Sequence, residues 1–307
     1  MTDGSGASVD RDRSAADLPQ RIRSAGLFVL VFVGAVFAGP WVFAGVVALI
    51  GLIGAFELRR ILVNLGWGRG GAFLFVAPVF TIASLLRLPT NELAIGTGLV
   101  GIATLAWLFH PTTPSRHAEA GDERQATRLA AFAPLVGFLG ALYLSLLPAF
   151  LVRLHSGPWD GVASLPDAFP RGALPVLFPV VLVWAADTGA YAFGILFGRH
   201  RLWPSVSPKK TWEGLIGGIV ATVLVAVLAS GPFGIGFGTL EAVVGGLLVG
   251  IAAPLGDLFE SRLKRVAGVK DSGRLLPGHG GVLDRFDSVF FAAPVFYYYL
   301  LEIAGRV

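Results

Sequence analysis

The sequence predicts an all-α polytopic membrane protein, and three observations predict it. The chain is 54% hydrophobic and only 14% charged, whereas a soluble domain carries about 25% charged residues. Its mean hydropathy is +0.72, and several apolar runs approach or exceed the roughly 17–20 residues needed to cross a bilayer. Its basic residues fall into alternate inter-span segments, the asymmetry that orients membrane helices.

Residues 1–21 are polar and aperiodic and read as a disordered cytoplasmic tail. The first span covers about 25–39. A cleaved signal peptide closing at Ala38 is the alternative, but a second apolar run begins at once after Gly39-Pro40. Further spans are expected over about 41–58, 71–88, 93–109, 129–152, 173–197, 214–231, 237–256 and 286–304, about nine in all. With the N-terminus in the cytoplasm, strict alternation puts 20 of the 24 basic residues inside, leaving Arg87, Arg153, Arg171 and Arg306 outside. The chain divides into the tail, an N-terminal transmembrane region at 22–184, and a C-terminal transmembrane region at 185–307 that holds the candidate chemistry.

Composition also excludes. Without cysteine there is no disulfide, thiolate catalysis or Cys-ligated metal. The net charge of +4 does not indicate nucleic acid, because membrane orientation accounts for the basic residues.

The polar stretch Gly256–Ser288 lies between apolar runs, and its segment Asp257–Asp287 carries 11 of the 44 charged residues. Asp257, Glu260, Ser261 and Lys264 share one face of a helix by their i, i+3, i+4, i+7 spacing. A glycine-rich loop follows, in which backbone can approach a ligand closely. Asp284 and Asp287 then open the next helix with both carboxylates on one face. Carboxylates hold hard cations, while Lys, Arg and backbone amides hold phosphates, so the pattern suits a metal-bound polyphosphate.

Lysine usage sharpens this reading. The chain has 20 Arg but only four Lys. All four (Lys209, Lys210, Lys264, Lys270) fall in two polar cytoplasmic loops, as expected of point charges on phosphate oxygens. The alternative is that Lys marks the cytoplasmic face. Ser207-Pro208-Lys209-Lys210-Thr211-Trp212-Glu213-Gly214 precedes an apolar run. It reads as phosphate-binding donors at a helix N-terminus, or as an interfacial Lys/Trp anchor. Asp187 is a carboxylate inside an apolar span: a functional group lining the same cavity as Asp257, or a structural hydrogen bonder. His279, in a Gly-rich loop, is a phosphate ligand, a general base or a loop-shaping hydrogen bonder.

The series Ser261-x-x-Lys264-Arg265-x4-Lys270-Asp271-x-Gly273-x-x-Leu276-Pro277-x-His279-Gly280-Gly281-x-x-Asp284-Arg285-x-Asp287 resembles the signature of phosphatidate cytidylyltransferases. The Ser207–Gly214 and Asp187–Arg199 stretches are also similar to that family. The resemblance implies transfer of a cytidylyl group from CTP to phosphatidate, with CDP-diacylglycerol and pyrophosphate as products. It implies dependence on Mg²⁺, an integral membrane enzyme of the plasma membrane with its active site on the cytoplasmic side, and a homodimer. It puts Asp257 and Asp284 at the metal-binding carboxylates, and Lys264, Arg265 and Lys270 at basic signature positions. The expected division of labour follows. Asp257 and Asp284, helped by Asp287, hold one or two cations. Lys264, Arg265 and Lys270 hold the β- and γ-phosphates, and Lys209 and Lys210 draw in the lipid phosphate. Ser207, Ser261, His279 and Arg285 complete substrate binding, and Asp187 takes a second cation or orients a lysine. The rivals are a CTP-dependent cytidylyltransferase acting on another lipid phosphate, a CTP-dependent lipid kinase, and a cation or phosphate transporter.

Overall fold

The computed structural model describes residues 18–64, 143–144, 146–157, 159, 170–230, 237–273, 275 and 280–303. The expected spans at 71–88 and 93–109, and His279, lie outside the described residues. The elements in order are α1 (Leu18–Ala38), α2 (Pro40–Asn64), α3 (Leu146–Ser156), α4 (Ala173–Phe197), β1 (Arg201–Trp203), β2 (Ser207–Thr211), α5 (Trp212–Ser230), α6 (Thr239–Val266) and α7 (Leu283–Tyr298). A π-helical turn, Tyr299–Ile303, continues α7.

Helices dominate because apolar runs in hydrocarbon must satisfy their backbone groups internally. Among the described residues, four helices are long and apolar enough to cross a membrane: Pro40–Val63, Ala173–Phe197, Trp212–Ser230 and Thr239–Arg265. The protein is therefore an integral membrane protein. Between α1 and α2 the chain breaks at Gly39, whose φ of 108° suits glycine alone, and Pro40 opens the next helix.

The α4–α5 pair packs through small residues. A Cβ on Gly189 would lie 2.5 Å from the Ala221 methyl, and one on Gly218 would lie 2.7 Å from the Ala186 carbonyl. Such absences of side chain let membrane helices approach to backbone contact. Against α5 lies α6, with Gly246 beside Val223, and α7 packs on α6. The core is aromatic where α1 meets α7: Phe28 and Phe32 stand 5.3 Å and 5.6 Å from Phe286, ring centre to ring centre.

Two departures from the sequence expectation bear on the site. Helix α6 does not stop near residue 256 but runs to Val266, so the Asp257–Lys264 face continues a membrane helix directly. The segment before α5 is not a helix N-terminus offering donors. Ser207–Thr211 is a strand paired antiparallel with Arg201–Trp203. The N-terminus of α5 already has partners: Thr211 Oγ1 accepts from the Gly214 amide at 3.1 Å. Glu213 turns outward to accept from the Arg199 and His200 amides and the His200 ring.

Candidate active site

Four elements meet where α4 and α6 end. Gly256 has no side chain, and the carbonyl of Asp287 occupies the space a Cβ would need. That close approach of α7 to α6 is what brings Asp257 and Glu260 beside Asp284 and Asp287.

Two lysine–aspartate pairs frame the site. Lys210, reaching from β2, places Nζ 2.5 Å from Asp257 Oδ2, and Ser261 Oγ donates to Asp257 Oδ1 at 3.0 Å. Lys264 is buried and places Nζ 2.6 Å from Asp284 Oδ1 and 3.3 Å from Glu260 Oε1. Asp284 also accepts from the Gly281 amide at 2.8 Å and the Ser272 amide at 3.0 Å. Asp284 precedes the apolar run of α7. Burial pushes its carboxyl up, but the Lys264 ammonium and the donors around it prevail and hold it below the usual carboxylate range.

Asp287 and Glu260 lie deeper. Asp287 accepts from the Ser288 amide at 2.6 Å. Glu260 is 0% exposed, and no donor hydrogen is aimed at either of its oxygens. Lys264 is its ion-pair partner at 3.3 Å, and a buried carboxylate that accepts no hydrogen bond is costly. Asp187 lies on the open face of α4, within electrostatic reach of Asp257, Lys210 and Arg285. The site thus draws in the intramembrane carboxylate that the sequence singled out.

Other expected residues fall out differently. Lys264 faces carboxylates, not open space, so its donors are already engaged. Arg265 is exposed, but its guanidinium donates to the Val206 carbonyl at 3.2 Å and the Val269 carbonyl at 3.3 Å. With Arg262, which stacks 5.4 Å over the Trp203 ring, it docks the β1–β2 hairpin on α6. Lys209, Lys270 and Arg285 are exposed, and Ser207 lies half-buried on β2.

Sequence reasoning missed Glu57. This residue of α2 is 4% exposed. Its Oε1 accepts from the Val282 amide at 3.0 Å and its Oε2 from the Leu283 amide at 2.8 Å. The Ser272 hydroxyl lies 3.1 Å from Glu57 Oε2 and 2.9 Å from Asp284 Oδ2, and can donate to either. Two of the signature glycines leave room for this side chain. A Cβ on Gly273 would meet Glu57 Oε1, and one on Gly281 would lie 2.5 Å from Glu57 Oε2.

The donor set is of the kind a hard cation takes: Asp257 and Glu260 of α6 lie near Asp284 and Asp287 of α7, and the Glu260 oxygens accept no hydrogen bond. Among the described residues, no three acidic or histidine side chains form a ready cage. Mg²⁺ takes one or two carboxylates and completes its shell with water and substrate phosphate, so holding it would not require such a cage.

Comparison with known proteins adds an independent line. The model of the cytidylyltransferase family matches residues 19–303. A phosphatidate cytidylyltransferase of Synechocystis is 33% identical over 298 residues, covering 92% of this chain and 96% of its own length. One from Staphylococcus saprophyticus is 46% identical over 145 residues, covering 47% of this chain and 55% of its own. An uncharacterized protein of Escherichia coli is 50% identical over 129 residues, covering 42% of this chain and 43% of its own.

Proposed function

The chain belongs to the cytidylyltransferase family, and we infer that it transfers the cytidylyl group of CTP to phosphatidate, forming CDP-diacylglycerol and pyrophosphate. The observation that carries this reading is the meeting of the Lys210–Asp257 and Lys264–Asp284 pairs at one end of the membrane helices.

In the reaction, a phosphatidate oxygen attacks the α-phosphorus of CTP. The bond from that phosphorus to the bridging oxygen breaks, and its electrons leave on pyrophosphate. The nucleophile is already anionic, so no side chain need remove a proton. The difficulty is bringing two polyanions together in line, which makes catalysis a matter of charge neutralisation and positioning. Lys210 is suited to exchange Asp257 for a lipid phosphate because it is only half-buried and rides on a hairpin. Lys209, Lys270 and Arg285 add exposed positive charge around it. Lys264 keeps Asp284 oriented. Asp257 and Asp284 would hold Mg²⁺, which when bound supplies charge neutralisation for the triphosphate, and Asp187, within electrostatic reach of Asp257, would serve a second cation or orient a lysine. Acyl chains stay between apolar helices.

The same reading includes about nine spans, a cytoplasmic N-terminus, an active site on the cytoplasmic face of the plasma membrane, and a homodimer. The segregation of basic residues supports the orientation.

The test uses purified protein in detergent with phosphatidate, Mg²⁺ and CTP labelled separately at the α- and γ-phosphorus. The expected result is α-label in the lipid and γ-label in pyrophosphate. Entry of γ-label into the lipid would make the protein a kinase. Transfer of neither label, with ion or phosphate uptake into liposomes lacking nucleotide, would make it a transporter.

A further inference from the structure

Glu57 lies more than 200 residues from the signature in sequence, on a helix with no other contribution to the site, yet its carboxylate is buried in the middle of the signature loop. It accepts two consecutive amides, Val282 and Leu283, where α7 begins. These are among the N–H groups that a helix start leaves without an intrahelical partner. Asp284 is the next residue along. Through Ser272, Glu57 also touches the segment whose amide donates to Asp284. Both strands of the loop are therefore tied to one side chain from α2, and Gly273 and Gly281 leave room for it.

We propose that Glu57 is a positioning residue for cytidylyl transfer, holding the signature loop and the first turn of α7 so that Asp284 meets Lys264 in the reactive arrangement. The proposal rests on the reaction assigned above, but the contact it describes does not. Both Glu57 oxygens are engaged by the loop, so its removal should lower turnover and leave substrate binding nearly unchanged. In Glu57→Gln the amide oxygen can still accept from the loop, but the NH₂ group opposes a backbone donor. The kcat should fall about 100-fold, as for a roughly 1 Å misplacement, while both KM values stay within about threefold.

Removing a buried carboxylate can also unfold the protein, so Gly273→Ala supplies a second route. Its methyl group would occupy the place of Glu57 Oε1, displace that carboxylate and should reproduce the turnover defect with residue 57 still glutamate. In a Glu57→Ala background the same methyl finds empty space, and the further loss should be no more than about twofold. Additive losses would overturn the proposal. So would a Glu57→Gln enzyme whose folded fraction turns over within about twofold of the parent, or one whose defect lies wholly in KM.

Hydrogen exchange of the Val282 and Leu283 amides, read by mass spectrometry on full-length protein in detergent, separates this proposal from the assigned reaction. Faster exchange in Glu57→Gln is expected even if the parent protein proves to lack cytidylyl transfer. Unchanged exchange would overturn the latch whatever the reaction.

Discussion

Asp284 gathers a lysine ammonium, the Ser272 and Gly281 amides and a shared serine hydroxyl on one carboxylate. Neutralising it leaves Lys264 with Glu260 as its remaining ion-pair partner and removes a candidate metal ligand. Asp284→Asn should therefore abolish turnover, to below about 1% of the parent, as expected when an electrostatic centre is lost. Gel filtration and helix content should be unchanged, and more than a tenth of the activity remaining would remove Asp284 from the metal site. The lowered pKa has a thermodynamic consequence as well. A carboxyl depressed on folding stabilises the fold above its unfolded value of about 3.8, and that increment is lost as pH falls through the folded value. Between neutral pH and pH 3, the Tm of the parent should thus fall more steeply than that of Asp284→Asn. Parallel curves would show that the Lys264 contact contributes no net stability. At this scale the site was partly legible. Asp257, Asp284 and the lysines stood out because charge is rare in the chain. Glu57 carried the same signal, being the sole acidic residue between Asp17 and Glu92 and lying in an apolar run. The intramembrane-carboxylate argument applied to Asp187 selects it equally.

At the level of elements, helices were readable because a membrane helix is selected for continuous apolarity, and Ala173–Phe197 begins and ends where its hydropathy does. The β1–β2 hairpin was not readable. It is three and five residues long, and its docking depends on Arg262 and Arg265, some 60 residues further on, which hold Trp203 and the Val206 carbonyl. Local sequence carries no trace of a contact made by a distant helix. For the same reason Arg265 looked like a phosphate ligand. The α4–α5 packing gives the prediction proper to this scale. Gly218 is buried with its α-carbon facing the Ala186 carbonyl, so a side chain there must push backbone. Gly218→Val should destabilise the protein by about 1–3 kcal/mol, the usual cost of overpacking, or prevent its accumulation. Thermal unfolding in detergent measures it, and an unchanged Tm would mean that the two helices are free to separate. Because α4 carries Asp187 and α5 follows the hairpin bearing Lys210, activity should fall as the helices part.

For the molecule as a whole, the position of the site relative to the membrane follows from one helix. Arg171 precedes α4 and Arg199 follows it, separated by 25 helical residues, or about 37 Å at 1.5 Å per residue, enough to cross the hydrocarbon layer. The hairpin begins at Arg201 and docks on the end of α6, through Lys210 on Asp257 and Arg265 on Val206. Lys270 lies just beyond α6 and so belongs to the Arg199 side, opposite Arg171. The absence of cysteine makes this testable without a background. Lys270 and Arg171 are both exposed, so single cysteines at these positions should be reachable by a reagent that cannot cross membranes, each from one side only. In intact cells, Arg171→Cys should label with such a maleimide and Lys270→Cys should not. After permeabilisation both should label. The opposite pattern in intact cells would turn the protein over and put the phosphate chemistry on the outer face, where CTP is absent. Labelling of both positions in intact cells would deny that α4 crosses the membrane at all. The expected pattern puts the lysines and carboxylates of the site on the side that supplies nucleotide, leaving the lipid to arrive from within the bilayer.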